Sequence, residues 1–210
     1  MFLNRVVGDT DATRKADPEL VREIETKRNS ALARAAAALE SERFRFLLLD
    51  AIAWIEVGNW RNAPAGPLPI VQTAARQLGR RDKKMLKQGR HLARLDARQR
   101  HKLRIAAKKL RYGSDFFADV FTRKKSVNWR KRFVRRLKRL QARLGDLNDI
   151  VVNQRLSAEL AASTRKDGPK SSKAFSAGRI AGHEDMRLPK LLRASEKAFR
   201  AFAPTKPYWV

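Results

Sequence analysis

The segment HKLRIAAKKLRY, residues 101–112, holds the residues best suited to chemistry. At 100° per residue on a helix, His101, Arg104, Lys108 and Arg111 share one arc, opposite Leu103, Ala106, Ala107, Leu110 and Phe117. The four make a row at i, i+3, i+7 and i+10, which a helix stretches over about 15 Å. Lys102 and Lys109 flank the row, with Tyr112 between. An exposed helix face normally balances such cations with Glu or Asp one turn away. Those partners are missing here, so the spacing predicts a counter-charge from outside the chain. Arg offers paired N–H groups to a phosphate, and Lys a compact point charge. This is the chemistry of holding a polyanion rather than of breaking a bond. His101 is expected to be a hydrogen-bond donor or a structural group, not a general acid. Asn148 and Asp149 are expected to bond nearby backbone or to orient Arg and Lys side chains.

Catalytic alternatives are thin. Glu23, Glu25 and Lys27 spell the ExExK pattern of the CYTH triphosphatases, whose metal and phosphate ligands share one face. That sharing needs a strand, because only a period of two puts i, i+2 and i+4 on one side. Here the segment lies in an Ala-rich helical stretch, where Glu23 and Glu25 diverge by about 200°. Glu23 and Lys27 are better read as a helical i, i+4 ion pair. The chain has no Cys, which excludes disulfides and thiolate chemistry. His91, His101 and His183 are too few and too scattered for a zinc site. No metal or cofactor is expected, and the chain is not expected to be an enzyme.

Charge supports the binding reading. The 210 residues include 48 Lys and Arg against 21 Asp and Glu, a net +27. Between Arg76 and Arg143 there are 26 Lys or Arg, four Asp and no Glu, so +22 sits in about a third of the chain. Solubility alone does not require such a block, and a polyanion would relieve its self-repulsion. The chain is 43% apolar, too much for a disordered basic tail. Its longest apolar runs, such as Phe46 to Leu49, are too short to span a bilayer. MFLNRVVGDTD lacks the apolar core of a secretory signal, so a cytoplasmic location is expected, with polyphosphate-granule association as an option.

Helical periodicity dominates the elements that must position these residues. Asp17-Pro18 reads as an N-cap and first helical residue, opening a helix to about Glu40. A second helix is expected from Ser41 to Val57, stopped by Gly58, and residues 61–68 form a Pro/Gly loop. A third runs from about Pro69 to Leu95, and a fourth from its cap at Asp96 to about Phe121. After a polar turn at 122–128, a fifth starts near Trp129 and continues past Gly145, with Trp129, Phe133, Leu137, Leu140, Leu144 and Leu147 as its core stripe. Residues 163–173 read as a flexible linker, and a last helix covers about 174–202 with a kink or break at Pro189. No alternating strand segments appear. The expected fold is all-α, an antiparallel helical bundle of about six helices, four-helix-bundle-like, with a basic groove.

HKLRIAAKKLRY followed by LKRLQARLGDLNDIVV (137–152) resembles the second half of a CHAD domain, the helical family named for its histidine and often fused to a CYTH triphosphatase. ESERFRFLLLDAIAWIEVGNW (40–60) is similar to the helix before that family's second basic repeat, and the ending KPYW to its C-terminus. The resemblance implies residues 1–16 as an extension and 17–210 as a CHAD-like domain. It implies two four-helix bundles about a pseudo-two-fold, and non-catalytic binding of inorganic polyphosphate. The residues it points to are His101, Lys102, Arg104, Lys108, Lys109, Arg111 and Tyr112 on the fourth helix. It adds Lys138 and Gln141 on the fifth, with Asn148 and Asp149 in support. Lys83, Lys87 and Arg90 match the preceding basic helix, and Arg28 and Arg45 match more weakly. The family pattern has an earlier His-x-x-Arg repeat and this chain has one. That implies a short member or a piece of a longer one, with a homodimer as a way to rebuild the two-fold.

Polyphosphate is a line of charges with no bases to read. A base reader would use aromatic side chains for stacking, and the basic block offers only Tyr112, Phe116, Phe117, Phe121, Trp129 and Phe133, most of them on core stripes. Sequence-nonspecific binding of a DNA or RNA backbone remains the alternative, as does a basic scaffold that docks an acidic protein. No helix-turn-helix signature argues for base readout.

Overall fold

Ser41 and Asp96 decide where two of the helices begin. The Ser41 hydroxyl accepts from the Phe44 N–H at 3.2 Å. Asp96 Oδ1 accepts from the Gln99 N–H at 2.7 Å, and Gln99 Oε1 accepts from the Asp96 N–H at 2.9 Å, a reciprocal cap that satisfies two otherwise orphaned donors. The computed structural model describes residues 18–62, 69–163 and 172–210. Its α-helices are α1 (Pro18–Glu40), α2 (Glu42–Val57), α3 (Ile70–Gly89), α4 (Ala97–Phe116), α5 (Lys124–Ser163) and α6 (Ser172–Phe202). The described residues contain no strand, so the all-α expectation holds. The N-terminal extension, most of the Pro/Gly loop (63–68) and most of the polar linker (164–171) lie outside the described residues.

Three boundaries differ from the sequence reading. Helix α3 ends at Gly89 instead of running to Leu95, and Leu92–Arg94 form a 3-10 turn. That turn returns Leu92 to the core at 2% exposure. Helix α5 begins at Lys124, inside the expected polar turn. Helix α4 ends at Phe116 rather than near Phe121, and Ala118–Val120 form a 3-10 turn. Helix α6 is continuous through Pro189, with no break there.

The chain divides into two units. The first holds the described residues within Met1–Pro67 and Leu160–Ile180. In it, α1 and α2 are joined by Ser41 alone. Trp60 folds back over the end of α2, its Nε1–H donating to the Trp54 carbonyl at 2.6 Å.

The second unit holds Leu68–Glu159 and Ala181–Val210. Its core takes the stripes read from the sequence. Leu103, Ala107 and Leu110 of α4 are buried, as are Phe133, Leu137, Leu140 and Leu144 of α5. They meet Leu78 and Met85 of α3 and Phe199 and Phe202 of α6. Gly89 permits the approach of α6, since a methyl there would overlap the Phe199 ring. The C-terminal residues Tyr208 and Trp209 close the core. Phe133 packs edge-on against Phe202, Tyr208 and Trp209 at centroid distances of 5.0, 5.9 and 5.0 Å.

Asp82 is an exception inside this core. It lies on the buried stripe of α3 at 8% exposure, and its Oδ1 has no hydrogen-bond partner. Burial pushes its pKa from 3.8 up to about 6. The folded state therefore holds the proton more tightly than the unfolded chain. The cost of the charge is absent below the unfolded pKa, grows as pH rises between the two values, and is complete above the folded one. A rise of that size corresponds to about 3 kcal/mol. Asp82→Asn is expected to be more stable than wild type by about 2–3 kcal/mol at neutral pH and nearly equal to it at about pH 4. Denaturant unfolding of both proteins across that range checks this.

Candidate functional site

Helices α4 and α5 run antiparallel, and three contacts set their register. His101 Nδ1 lies 2.9 Å from Asn148 Oδ1. Arg104 passes over Gly145, its Nε 3.9 Å from where a Cβ would stand. Arg111 Nε donates to Gln141 Oε1 at 2.8 Å. As the number rises on α4 it falls on α5. All of these α4 residues belong to the predicted row, so the row follows the seam between the two helices.

The seam corrects one expectation. Arg104, Lys108 and Arg111 are half-buried rather than on the outermost face of α4. The wheel places them away from the core stripe but does not show that α5 stands beside them. Half-burial has a chemical consequence, because an N–H partly removed from water gains more from an anion than an exposed one. Arg104 Nε is buried with no hydrogen-bond partner. Arg104, Lys108 and Lys138 have no carboxylate partner among the described residues. Within the basic block, Asp96 is committed to its cap and Asp82 is buried in α3, but the expectation that the row has no carboxylate one turn away fails at Arg111, which pairs with Asp115 at i+4 and 3.0 Å.

Two side chains shape the ends. The Tyr112 ring sits under the Arg111 guanidinium at 4.3 Å and within 5.9 Å of Lys108 Nζ, which holds both cations in place. At the other end, the Asn148 amide oxygen faces Nδ1 of His101 and selects the tautomer with the proton there. This leaves Nε2 turned away from Asn148. Beside them lies a cleft of about 200 Å³ lined by Arg98, Arg100, His101, Leu144, Leu147 and Asn148, among others. Asn148 thus supports His101 rather than a backbone group.

The other candidates are placed differently. Gln141 is in the seam, and Lys138 is exposed one turn before it on α5. Lys102 and Lys109 are exposed on the side of α4 turned from α5. Lys83 and Lys87 are exposed on α3, and Arg90 just past its end, opposite the buried Leu78–Asp82–Met85 stripe. Arg28 and Arg45 are exposed in the first unit. Asp149 is half-buried. One residue was missed. Arg130 is half-buried with its Nε buried and unpartnered. Eleven and eighteen residues before Gln141 and Asn148, it falls on their stripe of α5, a signal the sequence carried.

In the first unit, Lys27 Nζ meets Glu23 Oε1 at 2.9 Å on helix α1, so the ExExK pattern is an ordinary helical pair. Among the described residues no three His, Asp or Glu side chains gather as a metal site. No helix among them is long and apolar enough to cross a membrane.

A family model, the CHAD domain, matches residues 2–158. The chain belongs to the CHAD domain family. No curated protein and no solved structure matches it. The match takes in α1 to α4, nearly all of α5 and every residue of the seam, while α6 and the KPYW ending lie beyond it. Of the two histidines within the matched residues, His91 and His101, it is His101 that meets Asn148 across the seam.

Proposed function

We propose that this CHAD domain binds inorganic polyphosphate along the α4–α5 seam and does not hydrolyse it. The observation that carries the reading is the half-buried pair Arg104 and Lys108 on the seam, neither with a carboxylate partner among the described residues. Family membership supports it, because CHAD domains are associated with polyphosphate binding and with triphosphatases. The helical Glu23–Lys27 pair supports the non-catalytic part.

The geometry favours a thin ligand. A bare phosphate thread can settle between two helices and reach half-buried guanidinium and ammonium groups. A duplex carries its phosphates on a rigid cylinder and meets mainly the exposed Lys102, Lys109 and Lys138. Arg104, Lys108 and Arg111 supply the charge, and Gln141 and Tyr112 hold Arg111 in line. Lys83, Lys87 and Arg90 add a longer-range field rather than contacts. A cytoplasmic location goes with this reading.

Competition at matched ionic strength tests it. Labelled polyphosphate is bound to the protein and displaced with unlabelled polyphosphate, duplex DNA or an acidic protein. Polyphosphate is expected to displace at about tenfold lower phosphate concentration than DNA. Equal or better displacement by DNA overturns the assignment to polyphosphate, and magnesium-dependent release of phosphate by the pure protein overturns the non-catalytic part.

A further inference from the structure

The cleft at the His101 end of the seam is built for a group that a bare phosphate chain does not have. Its floor is apolar. Leu144 and Leu147 of α5 are each 1% exposed, and Val151, one turn further on, carries the floor out to the surface. Ala97, in the first turn of α4, completes it. A phosphate pressed onto this floor would give up water and find no hydrogen bond there, so an inorganic thread has no reason to enter. The cleft holds about 200 Å³. That is more than the roughly 150 Å³ that encloses a benzene ring, and less than the about 300–1,000 Å³ of a site for a drug-sized molecule. It suits one flat ring system.

The walls say what kind of ring. The His101 imidazole, held by Asn148 at 2.9 Å, is a fixed plane at the edge. Arg100 is pinned by its donation to the Leu95 carbonyl at 2.6 Å. Arg98 is exposed and has no carboxylate partner among the described residues, so its guanidinium can lie over a bound ring. Imidazole and guanidinium planes both stack on nucleobases. The cleft also opens onto the cationic row. Along α4, Arg104 stands about 4.5 Å from His101, and Lys108 about 6 Å beyond it. A ring seated over Leu144 and Leu147 can therefore send a phosphate tail past His101 to Arg104 and Lys108. We infer that the cleft receives the base of a nucleoside polyphosphate, whose phosphates occupy the near end of the seam. The inference rests on the polyphosphate reading for its tail and adds a separate site for the base.

The test compares ATP with inorganic tripolyphosphate, which has the same number of phosphates and no base. The full chain is titrated with each by calorimetry, in one magnesium-free buffer at matched ionic strength. ATP is expected to bind about tenfold or more tighter, the effect of stacking one base. Val151→Phe with Ala97→Leu fills the cleft from two exposed positions. It is expected to lower ATP affinity to that of tripolyphosphate and to leave tripolyphosphate within about twofold. Arg104→Glu with Lys108→Glu is expected to weaken both ligands. ATP binding no tighter than tripolyphosphate in wild type overturns the inference and leaves the polyphosphate reading standing. ATP binding without tripolyphosphate binding supports the cleft and counts against that reading, and where neither binds both fall. Tight ATP binding that survives in the folded, filled variant also overturns the inference. Should that variant unfold, wild type decides by nuclear Overhauser contacts between the base protons of ATP and the Leu147 methyls. Their presence supports the cleft, and their absence overturns it.

Discussion

A chain carrying Arg104→Glu and Lys108→Glu is expected to lose polyphosphate affinity by about 100-fold or more at moderate salt, with its helical content unchanged. Each reversal removes one cation from the seam and adds one anion, so the field along the row changes by four charges. Both side chains are half-buried, where screening by salt is weaker than at an exposed site. Neither has a carboxylate partner among the described residues, so no internal ion pair is broken by the change. Counterion release adds a second signature. The slope of log affinity against log salt should fall in magnitude by about 2 or more, because at least two phosphate contacts are gone. Reversing Lys83 and Lys87 instead, on the far face of α3, is expected to cost about tenfold or less through the long-range field alone. Fluorescence titration at three salt concentrations checks all three proteins. Equal losses for the two pairs would mean that net charge, and not the seam, governs binding.

The second large effect concerns stability. Tyr208→Ala and Trp209→Ala are each expected to destabilise the second unit by about 3–5 kcal/mol, measured by denaturant unfolding. Both aromatic side chains are buried, at 1% and 8% exposure, and each stacks edge-on with Phe133. Tyr208 also meets Phe121 at 5.4 Å, and its hydroxyl donates to the Ser114 carbonyl at 3.4 Å. Removing either ring leaves a cavity walled by rigid aromatics that cannot collapse into it. Tyr208→Phe keeps the ring and loses only a long hydrogen bond, so it should cost about 1 kcal/mol. Burial holds the Tyr208 phenol above its ordinary pKa, which keeps that donor protonated at any working pH. Because these residues clamp α3, α4 and α5, the alanine variants should weaken polyphosphate binding only where they unfold the bundle.

Much of this architecture was legible along the chain. Asp96 with Gln99 three residues on, and Ser41 before a helical pattern, are local chemistry that no tertiary contact has to complete. The stripe Phe133–Leu137–Leu140–Leu144 was legible because one face of an amphipathic helix repeats every 3.6 residues. The row His101–Arg104–Lys108–Arg111 was legible as a row, but its lean toward α5 was not. A wheel fixes angles around one axis and says nothing about which neighbour stands at each angle. The same limit hid the split among the basic residues. Lys83, Lys87 and Arg90 share the composition of the seam residues and face elsewhere, because the Leu78–Asp82–Met85 stripe turns them away. Arg130 was overlooked because it lies far along α5 from the residues it aligns with. The ends of α3 and α4 misled for a related reason, since packing against the core overrides a local preference.

The most direct measurement is a crystal structure of the protein grown or soaked with short-chain polyphosphate. The account predicts a chain of phosphate density between α4 and α5, with oxygens within hydrogen-bond distance of Arg104, Lys108 and Arg111. Phosphate density confined to the exposed lysines of α3, or scattered without contact to Arg104 and Lys108, would contradict it.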